Sequence, residues 1–244
     1  MIYELLLFGL ITGFVSGFFG VGGGMLLVPI LLMAGFIMKE AIAISVMQMV
    51  FSSVFGSFLN SKKQSGLLID GLLIGIGGFL GGLSSGFILT ALSNKTLQYV
   101  FIVILLASII KLFITPAEHN KEEKKHSKLL LILIGAIVGM IAMSIGVGGS
   151  IMITPILVGF MNYNLKKATT LGLFFVMFSS SAGFISLSYS GHMLYSEGFT
   201  VGLASLLGVY LGIKVKNKIN MKSYKKYVLF LYIVTFLIMI YKTI

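Results

Sequence analysis

The chain has no cysteine, no arginine and only seven acidic residues among its 244. Without cysteine, disulfides, thiolate metal sites and thiol chemistry are excluded. Without arginine, no planar guanidinium fork can clamp an oxyanion. Charge of either sign is scarce. Only 10% of residues are charged, where a soluble domain carries roughly 25%, and 57% are hydrophobic, with a mean hydropathy of +1.06. So few charges cannot cover a water-facing surface, which excludes soluble enzymes, nucleic-acid binders and disordered tails. The net charge of +11 and isoelectric point near 9.7 then read as the loop lysines of a membrane protein, whose partner is the lipid bilayer and not a nucleic acid. The opening stretch MIYELLLFGL has no basic residues before its apolar run, so it is expected to be a retained segment and not a cleaved signal peptide.

What is abundant is long apolar runs between polar breaks. The first half contains Ile2–Phe19, Met25–Met38, Ala41–Leu59, Leu67–Leu92 and Leu97–Ile114. A polar stretch, Pro116–Lys128, separates these from Leu129–Ile145, Ile151–Tyr163, Ala168–Leu187, Met193–Ile213 and Tyr224–Tyr241. Lipid offers backbone groups no hydrogen-bond partners, so the runs are expected to be helices. The expected fold is all-α, a polytopic transmembrane bundle of about eight to ten segments. Residues 1–115 would form a first repeat, 116–128 a cytoplasmic linker and 129–244 a second repeat.

The two halves carry the same landmarks. GVGGGMLLVPIL at Gly20–Leu31 matches GVGGSIMITPIL at Gly146–Leu157, an offset of 126. Gly9, Gly13, Gly82, Gly86 and Asn94 recur at that offset as Gly135, Gly139, Gly208, Gly212 and Asn220. Ser52–Gly56 matches Ser179–Gly183 after a slip of one residue. Landmarks in step over most of each half indicate a duplication. Lysine placement then addresses orientation. If each half crosses an odd number of times, 15 of the 18 lysines fall on one side; with four crossings per half the split is 10 against 8. The first arrangement obeys the positive-inside rule and makes the repeats inverted, with both termini non-cytoplasmic. Met25–Met38 and Ile151–Tyr163 cover roughly 20 Å at 1.5 Å per residue, short of a ~30 Å core. They are either short spans or arms of re-entrant hairpins.

Gly20, Gly22, Gly23 and Gly24, with Gly146, Gly148, Gly149 and Ser150 in the second copy, interrupt apolar runs at corresponding places. Such glycines admit positive φ and leave backbone N–H groups uncovered, at the positive dipole ends of the helices that follow. Broken helices at matching points of two halves point to a transporter's central site. The bland reading is tight turns or close packing. Pro29 and Pro155 would each kink a short helix and free a carbonyl, as hinges. Gln48, Ser52, Ser53, Ser179 and Ser180 lie near the middle of the third span of each half. They either contact a desolvated anion or bond a carbonyl one turn back. The glycines of Leu67–Leu92 are read as helix-contact positions. No catalytic or metal site and no cofactor is expected. The acids all lie at span ends or in loops; for a proton-relay group there is no clear candidate, Asp70, His192 and Glu197 at the ends of the fourth spans coming closest. His119 and His126 sit among linker lysines.

At the doubled motif, Gly13–Leu31 with its weaker copy Gly139–Leu157, the chain resembles the sulfite exporter TauE/SafE family of the toluene sulfonate uptake permease group. Length, duplication, linker and Ser-Ser pairs all fit. Ser150, where the first copy has Gly24, departs from the doubled pattern and suggests unequal halves. The resemblance implies a multi-pass transporter of the bacterial inner membrane that exports small sulfur-containing anions, such as sulfite or organosulfonates. Cysteine-mediated thiosulfate transfer, used by another membrane family, is impossible here. An anion channel and a non-transporting membrane assembly protein remain as alternatives, and homo-oligomerisation is open.

Overall fold

The computed structural model describes residues 2–61, 68–114 and 127–243. The described residues form eleven helices and no strand. In order they are α1 Ile2–Phe19, α2 Gly24–Met33, α3 Met38–Ser61, α4 Leu68–Gly82, α5 Ser85–Ala91, α6 Asn94–Ile114, α7 Lys128–Ser144, α8 Ser150–Met161, α9 Leu165–Tyr189, α10 Tyr195–Lys216 and α11 Met221–Thr243. Seven helices, with α4 and α5 counted together, are long and apolar enough to cross a membrane; α2, α7 and α8 are shorter apolar helices. Exposed apolar side chains such as Tyr3, Phe87, Val103, Phe113 and Leu207 clothe the outside, as a lipid-facing surface requires. The expected linker up to His126, including His119, and the loop lysines Lys62 and Lys63 lie outside the described residues.

Two boundaries differ from expectation. The run Leu67–Leu92 is not one helix: it breaks at Leu83–Ser84 into α4 and α5. The cause lies in another element. Ser186 of α9 accepts from the Gly86 N–H at 2.9 Å and donates to the Leu83 carbonyl at 2.6 Å, satisfying two of the backbone groups that the break releases. Met38 begins α3 instead of ending α2. That leaves α2 with ten residues and α8 with twelve, roughly 15 and 18 Å, about half the hydrocarbon thickness.

Glycine seams set the packing. On α1, Gly9, Gly13 and Gly17 face Val201, Ser205 and Val209 of α10 in ascending order, so the two helices run parallel. On α4, Gly77 and Gly81 face Ile132 and Ala136 of α7, again parallel. With no Cβ between them the backbones meet directly, as small residues four apart allow. In contrast α3 and α9 run antiparallel: Ser53 reaches Ser180, while Gly56 meets Leu173.

The lysines collect at one end of this bundle. Lys225 Nζ donates to the Phe113 carbonyl, Lys111 sits 3.8 Å from the centroid of the Phe160 ring, and Lys166 donates to the Ile219 carbonyl. Tyr163 closes the same end on the first turn of α4 by donating to Asp70 Oδ2 at 2.5 Å. The opposite end holds Lys39, Lys95 and Lys242, and there Thr90 Oγ1 meets His192 Nε2 at 3.0 Å.

We expect Gly81→Leu, which drives a side chain into the α7 backbone, to cost about 1–3 kcal/mol or more and to lower the detergent unfolding midpoint by several degrees. Gly35→Asn is the control. Gly35 sits in a turn with φ +98 and nothing within 4 Å of an added Cβ, so asparagine there meets no clash and pays only the backbone strain of positive φ, and its midpoint should fall less than that of Gly81→Leu.

Candidate functional site

Each GVGG motif ends one helix, reverses the chain and starts another. Positive φ falls on the same three members of both copies: Gly20, Gly22 and Gly23 at 70, 81 and 87°, then Gly146, Gly148 and Gly149 at 71, 82 and 72°. Gly23 and Gly149 are the left-handed N-caps of α2 and α8, and neither cap makes a side-chain hydrogen bond. The chain doubles back far enough that Gly23 lies beside α1. A methyl added there would fall 2.9 Å from the Thr12 carbonyl oxygen and 2.8 Å from each polar atom of the Gln48 amide.

The two turns interlock. Gly24 abuts the Gly146 carbonyl, and a Cβ on Gly148 would lie 2.7 Å from the Val21 carbonyl oxygen. The sulfur of Met49 nestles against Gly22, Gly24 and Gly148, with Val176 of α9 beside it. Thus α2 and α8 start side by side at the middle of α3 and α9 and run to opposite ends of the bundle. Their N-terminal dipole ends converge.

Polar groups around this junction divide into two sets. One set holds the backbone in place. Ser45 donates to the Gly146 carbonyl at 2.8 Å, and Ser52 to the Gly22 carbonyl at 3.0 Å. Ser53 and Ser179 bond carbonyls one turn back on their own helices, Met49 at 2.5 Å and Phe175 at 3.1 Å. Ser180 meets only Ser53, at 3.5 Å. The other set has no partner among the described residues. It comprises both amide atoms of Gln48 and the hydroxyls of Ser16, Ser150 and Thr154, on residues at most 1% exposed. The backbone N–H groups of Gly22, Gly23, Gly24, Gly148, Gly149 and Ser150 likewise make no hydrogen bond among the described residues. All of Gly20–Gly24 and Gly146–Ser150 are buried, so the turns are enclosed by protein. Unpaired donors in such a place are costly, and a nearby groove of about 590 Å³ between α5 and α9 does not reach them.

Pro29 and Pro155 lie buried inside α2 and α8; lacking N–H, they leave the Met25 and Ile151 carbonyls without an intrahelical donor. The described carboxylates, Glu4, Glu40, Asp70 and Glu197, all sit in first turns of helices or in α1's opening turn, away from the junction. No group of three or more His, Cys, Asp or Glu able to hold a metal occurs among the described residues. The arrangement gathers unbonded donors and an amide in a buried, close-packed junction.

The chain matches the family described as Sulfite exporter TauE/SafE over residues 5–239. The chain belongs to that family. Its relatives carry the name probable membrane transporter protein. One from Methanocaldococcus jannaschii is 28% identical and covers 89% of this chain and 87% of its own. YunE of Bacillus subtilis is 23% identical over 91% and 89%. YfcA of Escherichia coli K12 is 20% identical over 83% and 76%. No solved structure matches. This TauE/SafE member is therefore a multi-pass membrane protein of a transporter family.

Ser45, Ser16 and Thr154 were not among the residues expected at the site. Their signal was available: Ser45 lies four residues before Met49 and Thr154 precedes Pro155. The slip of one residue also hid an inequality. The position equivalent to Gln48 in the second half is Phe175, whose ring crowds Gly149 as the Gln48 amide crowds Gly23.

Gln48→Leu keeps the volume and removes two unpaired buried polar atoms. It should stabilise the ligand-free protein by about 1–3 kcal/mol, raising the unfolding midpoint, while transport falls. A lowered midpoint would show that the amide is bonded and structural.

Proposed function

We propose that this protein exports small sulfur-containing anions, such as sulfite or organosulfonates, as a secondary transporter working by alternating access. One observation carries the reading: two helix N-termini meet at mid-depth with buried backbone donors and a Gln48 amide that are unbonded among the described residues. An oxyanion has the acceptors that these groups lack. Gly20, Gly22, Gly23, Gly24, Gly146, Gly148, Gly149 and Ser150 would supply main-chain donors and converging dipoles. Gln48 would add its amide, with Ser52, Ser53, Ser179 and Ser180 close by. Among the described residues no side-chain cation touches the turns, which favours modest affinity and easy release.

The halves 1–115 and 129–244 act in this reading as inverted repeats around the junction, supported by the antiparallel course of α3 and α9. The buried turns correspond to an occluded state, and Pro29 and Pro155 serve as hinges when one mouth opens. That enclosure favours a carrier over an anion channel, which needs a continuous open path. By the positive-inside rule the lysine-rich end faces the cytoplasm of a bacterial cell, the linker joins it there, and both termini lie outside.

Sulfite flux into liposomes tests this. Gly23→Val and Gly149→Val place a branched side chain at positive φ against Gln48 or Phe175, and should each cut saturable flux by about tenfold or more. Protein that stays monodisperse yet transports at the original rate in both variants would refute the site.

A further inference from the structure

Lys216 ends α10 at the lysine-rich end and is only 4% exposed. Its Nζ donates to Thr169 Oγ1 at 3.0 Å and Thr170 Oγ1 at 3.4 Å, and lies 5.8 Å from the centroid of the Tyr224 ring. No carboxylate among the described residues approaches it, and the neighbouring charge it feels is that of Lys166, of the same sign. Both threonine hydroxyls donate to the Lys166 carbonyl, at 3.0 and 2.9 Å, so their lone pairs turn toward Lys216. Tyr224 is held as well, its hydroxyl 2.9 Å from the Phe18 carbonyl and 3.2 Å from Thr169 Oγ1. Two of the three ammonium N–H directions are thus used. The third has no hydrogen-bond partner among the described residues, and the charge itself faces only the Tyr224 ring there.

A buried cation without a counter-charge is costly to keep unless something anionic visits it. A lysine can serve a helix C-terminus from the surface, as Lys214 and Lys218 do by position, so capping alone does not require burial. Lys216 also adjoins the glycine junction. The Thr169 carbonyl presses on Gly20, and on the same face of α9 Gly172 meets Ser150 and Val176 meets Gly22. From Thr169 to Val176 is roughly 10 Å along the helix. The equivalent position in the first half is Thr90, bonded to the His192 ring at the other end of the bundle. Among the described residues, the position matching Lys216 at that end therefore carries no buried cation.

We propose that Lys216, framed by Thr169, Thr170 and Tyr224, is an anion-docking site at the lysine-rich mouth, which receives a small sulfur oxyanion before it reaches the glycine turns. The proposal rests on the anion-transport reading above. It makes the two mouths chemically unequal: one captures anions by charge, the other releases them past hydroxyls and an imidazole.

Titrating the purified full-length protein in detergent with sulfite tests it. Lys216→Gln should weaken binding by about tenfold or more, and Lys216→Arg, which keeps the charge, should recover most of the loss. In the unaltered protein, saturating methanesulfonate should shield Lys216 from acetylation by acetic anhydride, read by mass spectrometry, and leave Lys242 labelled as before. The labelling arm needs no variant, so it decides even where Lys216→Gln fails to fold. Unchanged affinity in Lys216→Gln, or unchanged Lys216 labelling, overturns the docking site; the glycine-turn reading survives if Gln48→Leu still loses sulfite binding. If the unaltered protein binds neither sulfite nor methanesulfonate, both readings fall.

Discussion

A peptide N–H at the centre of a bilayer has no water to bond, so a chain normally satisfies it within its own helix. This protein breaks that rule twice, at matching points, and places the two breaks against each other. The remaining architecture serves to make the exception tolerable. Glycines let the chain reverse at Gly20–Gly23 and Gly146–Gly149 without side chains in the way. Ser45 and Ser52 take up carbonyls exposed by the turns. Met49, Val176 and Phe175 fill the space around them and keep lipid out. What is left unbonded among the described residues includes hydrogen-bond donors at the positive ends of two helices, together with an amide and a few hydroxyls.

Much of this could be read from the residue pattern, because duplication leaves a periodic trace and glycine has few reasons to cluster. The doubled motif located both turns, and the first and sixth helices end where the apolar runs end, at Phe19 and Ile114. What escaped was whatever depends on a distant partner. The break at Leu83–Ser84 has no proline and is enforced by Ser186, a hundred residues later in the chain. Lys216 reads as one more loop lysine until Thr169 and Tyr224 fold over it. Likewise the contrast between Gln48 and Phe175 surfaces only when both are seen beside their glycines. The serines show the limit of composition: the same residue type anchors a turn at Ser52 and merely back-bonds at Ser179.

Electrostatically the protein is spare. With no arginine anywhere and no carboxylate near the junction among the described residues, the central field there comes from backbone dipoles, which are fixed in direction and do not titrate. Such dipoles add no net charge to the bilayer interior, whereas a buried ion pair would carry a desolvation cost. Full positive charge is kept mainly at the lysine-rich end, away from the centre.

The glycine seams have a further bearing on how such a protein is made. The first helix does not mate with its neighbours in the same half but with α10, and α4 waits for α7. A ribosome feeding the chain into the bilayer would therefore leave α1 with a bare, Cβ-free stripe turned to lipid until nearly the whole polypeptide had emerged. Only then could the seam zip shut and fix both turns. Assembly is thus gated by the last helices to arrive, and a truncated product would hold its opening helix without the surface it was shaped to meet.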